Sequence, residues 1–172
     1  MATSVKAIAT VEVGAGGAAS IEFTNIPAIY TDLQILYSLR ASGSYTGTSS
    51  YFTVNSNTSN RSFKFVAGNS ASTESYGSTG NLWAGYENGS TSTSSTFSSN
   101  FIYIPNYAGS TNKSISSDGT YENNSSSNGT ASVGMGASLW ADTTAISSVQ
   151  ISPYSGTWAQ YSTAYLYGIK NS

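Results

Sequence analysis

Few side chains in this chain could do chemistry, and their types narrow the options at once. Of 172 residues, eight are acidic and six are Lys or Arg, with no His and no Cys. Without His, neither a Ser-His-Asp triad nor a Cys-His pair can be assembled. Without Cys or His there is no zinc site of ordinary type and no disulfide framework. A Ser-Lys pair remains formally open, but Ser is so abundant that no single one stands out. A glycosidase-type carboxylate pair needs only two acids. The acids are Glu12, Glu22, Asp32, Glu74, Glu87, Asp118, Glu122 and Asp142. Glu12 and Glu22 could face each other across a first hairpin, although solvated outward positions explain them more simply. Asp118 and Glu122, with nearby carbonyls, are the one candidate calcium site, but no Asp-x-Asp run supports it. The expectation is a protein with no catalytic residues, metal or cofactor, and not an enzyme.

Charge excludes further classes. Lys6, Arg40, Arg61, Lys64, Lys113 and Lys170 are scattered, and the net charge is −2, so the basic field that nucleic acid requires is missing. Gly14-Ala15-Gly16-Gly17 has no downstream Lys and reads as a turn rather than a phosphate loop. No stretch approaches the ~18 apolar residues of a membrane span. Met1 to Lys6 lacks a basic segment followed by an apolar run, so cytoplasmic synthesis without a signal peptide is expected. Charged residues make up only 8% of the chain, where soluble domains average roughly a quarter. Aromatics reach 13%, which argues against disorder. These features suggest a near-neutral protein that works by surface contact.

The elements available to position such a surface read as strands. Val5, Ala7, Ala9, Val11 and Val13 recur with period two, and the turn at 14–17 suggests a hairpin return over 19–24. Leu33 to Arg40 alternates most clearly and is placed inside a sheet. Tyr51–Val54 pairs with Phe63–Val66 across an Asn-rich turn. Ala67 to Gly80 reads as a long surface loop. Leu82–Tyr86, Phe101–Ile104, Lys113–Tyr121, Val149–Ile151 and Tyr165–Lys170 are further strands, with Pro27, Pro105 and Pro153 as stops. Between them, Asn123 to Thr130 is an Asn/Ser turn. Val133, Met135, Ala137 and Leu139 alternate with Gly134 and Gly136, glycines that suit close crossing by a large ring or another backbone. No window has helical period. The fold expected for 1–172 is all-β: a single-domain antiparallel β-sandwich, jelly-roll-like, of eight to ten short strands, with 1–14 as an edge strand or N-terminal arm.

Two candidate surfaces follow. Trp83, Tyr86, Trp140, Tyr154, Trp158 and Tyr161 sit among Gly, Ser and Asn, the mixture found in binding paratopes and sugar-binding surfaces. The alternative is that such rings fill the core or a subunit interface. Strand 5–13 could pair with a neighbouring chain, its apolar Val5, Ala7, Ala9, Val11 and Val13 covered by the partner. Pairing with 19–24 in its own domain is the competing reading.

Two segments carry a resemblance. Phe23-Thr24-Asn25-Ile26-Pro27, with the strand Leu33–Arg40, and the terminal Tyr165-Leu166-Tyr167-Gly168-Ile169-Lys170 are similar to segments of accessory structural proteins of tailed bacteriophages. The resemblance implies a jelly roll on the virion, made in the host cytoplasm, with no catalytic residues carried over. A capsid-decorating or cement protein would contact the major capsid protein and itself, as a homotrimer. A receptor- or glycan-binding tip of a tail or head fibre is the alternative, with a host surface glycan as ligand. A secreted carbohydrate-binding module is the non-viral alternative. No nucleic acid and no membrane insertion are expected.

Overall fold

The structure, a computed structural model, describes residues 3–69, 71–125 and 130–171. Residues 126–129 of the expected Asn/Ser turn lie outside them. The described residues form twelve strands: β1 (Thr3–Glu12), β2 (Ile21–Phe23), β3 (Asp32–Ser38), β4 (Gly47–Val54), β5 (Arg61–Gly68), β6 (Thr73–Thr79), β7 (Leu82–Asn88), β8 (Ser99–Ile104), β9 (Lys113–Tyr121), β10 (Ser132–Trp140), β11 (Val149–Ser152) and β12 (Thr163–Asn171). They build one all-antiparallel, two-sheet sandwich. The large sheet runs β1-β12-β3-β8-β9-β10-β5-β6 and the small sheet β2-β11-β4-β7.

The pairing is nested. β1 pairs with β12, β2 with β11, β3 with β8 and β4 with β7. The hairpins β5–β6 and β9–β10 are inserted into this ribbon and join along β10–β5, so they extend the large sheet beyond β8. Proline delimits elements as its missing N–H dictates: β8 stops before Pro105 and β11 before Pro153.

Four expectations need correction. Tyr51–Val54 does not pair with Phe63–Val66: β4 lies in the small sheet between β11 and β7, and β5 in the large sheet between β10 and β6. Twelve strands replace eight to ten, because 73–79, read as loop, form β6. Its sequence Thr-Glu-Ser-Tyr-Gly-Ser-Thr has almost no apolar signal, since the strand is exposed nearly throughout. The first hairpin does not form: β1 joins the large sheet beside β12, and β2 joins the small sheet beside β11. Glu12 and Glu22 therefore do not face each other, and the Glu22 carboxylate accepts hydrogen bonds from Ser20 and Gln150. Finally, Val5 to Val13 do not share one face. A bulge between Ala7 and Ala9 inserts Ile8 and reverses the alternation. Val5 and Ala7 are exposed, Ala9 and Val11 pack on the core, and Val13 is buried beyond the strand end.

The core has two parts. The larger fills the sandwich with Ile21, Leu33, Ile35, Phe52, Leu82, Ile102, Trp140, Trp158 and Leu166 among others. The smaller lies under the extension and consists of Phe63, Phe65, Ala67, Trp83, Tyr86 and Tyr121. β7 lies between them, buried along its whole length. It is the edge of the small sheet, so one side of its backbone lacks a strand partner. Side chains of the large sheet take that place. Ser138 Oγ accepts from Trp83 N–H at 3.0 Å, and Ser117 Oγ donates to the Trp83 carbonyl at 2.9 Å. Asn100 Oδ1 accepts from Tyr86 N–H at 2.7 Å, and the Tyr37 hydroxyl donates to the Ala84 carbonyl. A buried edge without them would leave several backbone groups unpaired, each costing roughly 1–3 kcal/mol.

Candidate functional site

The six rings expected to form a contact surface are divided by the fold. Trp83, Tyr86, Trp140 and Trp158 are buried and present no contact surface. Packing explains their place. Trp83 stacks on Phe65 at 5.2 Å between centroids and meets Tyr86 edge-on at 5.5 Å. Trp158 donates its indole N–H to the Ile151 carbonyl at 3.0 Å. Trp140 lies under the Lys113 ammonium, 6.0 Å from its ring centroid. Only Tyr154 and Tyr161 remain exposed, on the loops flanking β11 and β12. Tyr154 meets the half-buried Tyr45 edge-on at 6.1 Å, and no ring contact joins it to Tyr161 among the described residues.

Beneath Tyr45 and Tyr154 sits a buried acid. Glu87 Oε1 accepts from the Tyr45 hydroxyl and from Tyr154 N–H at 2.9 Å, while Oε2 has no partner. Burial pushes its carboxyl up to about 7 against the opposing pull of those two hydrogen bonds. It is one carboxyl anchoring loops, and among the described residues no hydrogen bond joins it to a second acid. Among the described residues no three acids gather into a metal-holding group. Asp118 and Glu122 separate: Asp118 stands on the outer face of β9, and Glu122 caps the turn that follows by accepting from Asn124 N–H at 2.7 Å.

Exposed apolar side chains gather on the outer face of the large sheet. Across its strands, Val66, Met135, Asp118, Phe101, Leu36 and Tyr165 lie in register as one row. Val133 and Leu139 stand beside Met135 on β10. Exposure is highest where the extension begins: Met135 is 68% exposed, Val66 60% and Val133 59%. Shallow grooves of about 560 to 570 Å³ run between β10, β5 and β6 on this side. The exposed apolar side chains Val66, Val133, Met135 and Leu139 thus gather on β5 and β10, while β9 beside them presents Ser114, Ser116, Asp118 and Thr120.

The cause is an inverted pattern in β10. Its inward positions are Ser132, Gly134, Gly136, Ser138 and, at its end, Trp140, and its outward positions are Val133, Met135, Ala137 and Leu139. A Cβ at Gly136 would overlap the Trp83 ring, and one at Gly134 would lie 3.1 Å from the Tyr86 ring. The close ring crossing read from those glycines is present. The alternation of Val133 to Leu139 was legible as well; the side it faces was not. Two charges interrupt the patch. Lys64 on β5 pairs with Ala137, and Asp118 on β9 pairs with Met135, so they flank β10 on opposite sides. Burial between its apolar neighbours raises the Asp118 carboxyl above its ordinary value.

Compared with known proteins, the chain matches no family model, no characterised protein and no solved structure. Fold and surface together describe an all-antiparallel two-sheet β-sandwich with a group of exposed apolar side chains on the outer face of its larger sheet.

Proposed function

We propose that this protein is a non-enzymatic structural component of a virion, a jelly-roll protein that decorates or cements a capsid shell through subunit contacts, the outer face of its large sheet among them. The observation that carries the reading is the exposed row around Met135, Val66 and Val133. A protein that acts only by contact needs such a face, and this one is presented on the sheet extension. The nested pairing supports the jelly-roll part. With the two inserted hairpins set aside, strands pair first with last, and alternate pairs fall in opposite sheets. Jelly rolls recur in viral capsid and lectin domains. Binding only the assembled shell would stabilise it by mass action.

Immunogold labelling of purified virions from the source tests the role. Label over the heads is expected, lost when the protein is replaced by a folded Met135→Asp variant. Label confined to tails or fibre tips would overturn the decorating role. It would favour the second reading, host-glycan binding, for which the exposed Tyr154 against Tyr45 is the supporting observation. A glycan array with Tyr154→Ala as control would then be decisive.

A further inference from the structure

We infer that the outer face of β9, β10 and β5 is a two-fold interface with a second copy of this chain, its axis running along β10 between the two facing sheets. The inference rests on the contact reading above and names the neighbour that fills that surface.

Charge placement selects this partner. Lys64 and Asp118 are the charged side chains of this part of the face, and they stand on the strands either side of β10. Among the described residues neither has a hydrogen-bonded or ion-paired partner in its own chain. A two-fold axis along β10 carries β5 of one copy over β9 of the other. It therefore brings Lys64 to the second copy's Asp118, and Asp118 to the second copy's Lys64, in one operation. The two positions are offset along β10 by one pleat repeat, Ala137 against Met135. A lysine stem is long enough to span that offset. The patch is thus self-complementary in charge, with apolar side chains at its centre and ion pairs at its flanks.

Area points the same way. Val66, Val133, Met135 and Leu139 at their exposures, with Ala137 and the two charged chains, present on the order of 500 Å² per copy, somewhat below the roughly 800 Å² per partner of a standard interface. Two copies would then bury about 1,000 Å², the lower bound for a specific interface. The grooves beside β10 give the facing rows of side chains somewhere to seat.

Sedimentation equilibrium of the purified protein at micromolar concentration tests this. The wild type is expected to be a dimer. Lys64→Glu and Asp118→Lys each place like charges opposite one another twice, by symmetry, and are expected to weaken dimerisation at least tenfold. The combined Lys64→Glu, Asp118→Lys variant restores opposite charges and should recover the dimer. Circular dichroism confirms that all three fold, as exposed positions on a sheet face should allow. A monomeric wild type, a trimer, or a charge-swapped double variant that stays monomeric would overturn the inference. Head labelling by immunogold with a monomeric free protein would sink only the second copy and leave the virion role standing. A dimer whose virions carry no label would do the reverse.

Discussion

At the scale of single residues, Glu87 joins burial to pH. Its folded carboxyl holds its proton up to about pH 7, whereas the unfolded chain releases it near 4.5. The folded state therefore binds the extra proton between those values. Its contribution to stability is complete below about 4.5, falls as pH rises to about 7, and is flat above. The full effect is on the order of 3 kcal/mol. Glu87→Gln keeps an acceptor for Tyr45 and Tyr154 without the titrating group. We predict that urea midpoints of wild type and Glu87→Gln diverge from pH 5 to pH 8, with the variant the more stable at pH 8. Parallel curves across that range would show that the carboxyl does not titrate in the fold. Arg40 is a second single-residue device. Its guanidinium donates to the carbonyls of Ser90, Ser92, Thr93 and Thr96, which gathers a Ser/Thr loop with no core of its own. Arg40→Ala should raise hydrogen exchange over 90–98 and leave the strands protected, as mass spectrometry can resolve.

At the scale of elements, β7 decides how the two sheets meet. Its fully buried sequence Leu-Trp-Ala-Gly-Tyr-Glu-Asn needs both ring space and backbone partners. Gly136 supplies the first. Gly136→Ala drives a methyl into the Trp83 ring and is expected to cost roughly 1–3 kcal/mol, read as a lower denaturant midpoint at unchanged slope. Asn100 supplies the second. Asn100→Ala leaves Tyr86 N–H buried without its acceptor and should cost about 2 kcal/mol. If both variants matched the wild type, β7 would not be seated against the large sheet as described. β1 and β6, the two free edges of that sheet, differ in how they are protected. β1 is broken by its bulge and carries Lys6, whereas β6 pairs without interruption and bears Tyr76 over Phe63 and Phe65.

At the scale of the whole molecule, the extension has its own small core, separate from the sandwich interior. Units with separate cores can open separately. Phe65→Ala removes a ring that stacks on Trp83 and lies against Tyr76. Loss of a buried Phe typically costs 3–5 kcal/mol. The expected readout is early loss of exchange protection in β5 and β6, with β3 and β12 still protected. Simultaneous loss in all four would make the sandwich and its extension one cooperative unit.

Much of this was written in the sequence. Period-two alternation in Leu33–Arg40 and Val133–Leu139, punctuated by Pro105 and Pro153, determined a β-protein with antiparallel strands. Strand alternation and turn residues are local properties, so they are legible locally. Composition by itself excluded every catalytic arrangement that needs His or Cys. The side each strand turns inward was decided only by tertiary structure. In β10 the apolar run Val133–Leu139 faces out, because Trp83 and Tyr86 arrive from a strand some fifty residues earlier and require the glycine side for themselves. The same long-range packing buried four rings that local polar neighbours had marked as exposed. It also brought Lys64 and Asp118 to opposite flanks of one apolar row, a relation that no spacing along the chain encodes.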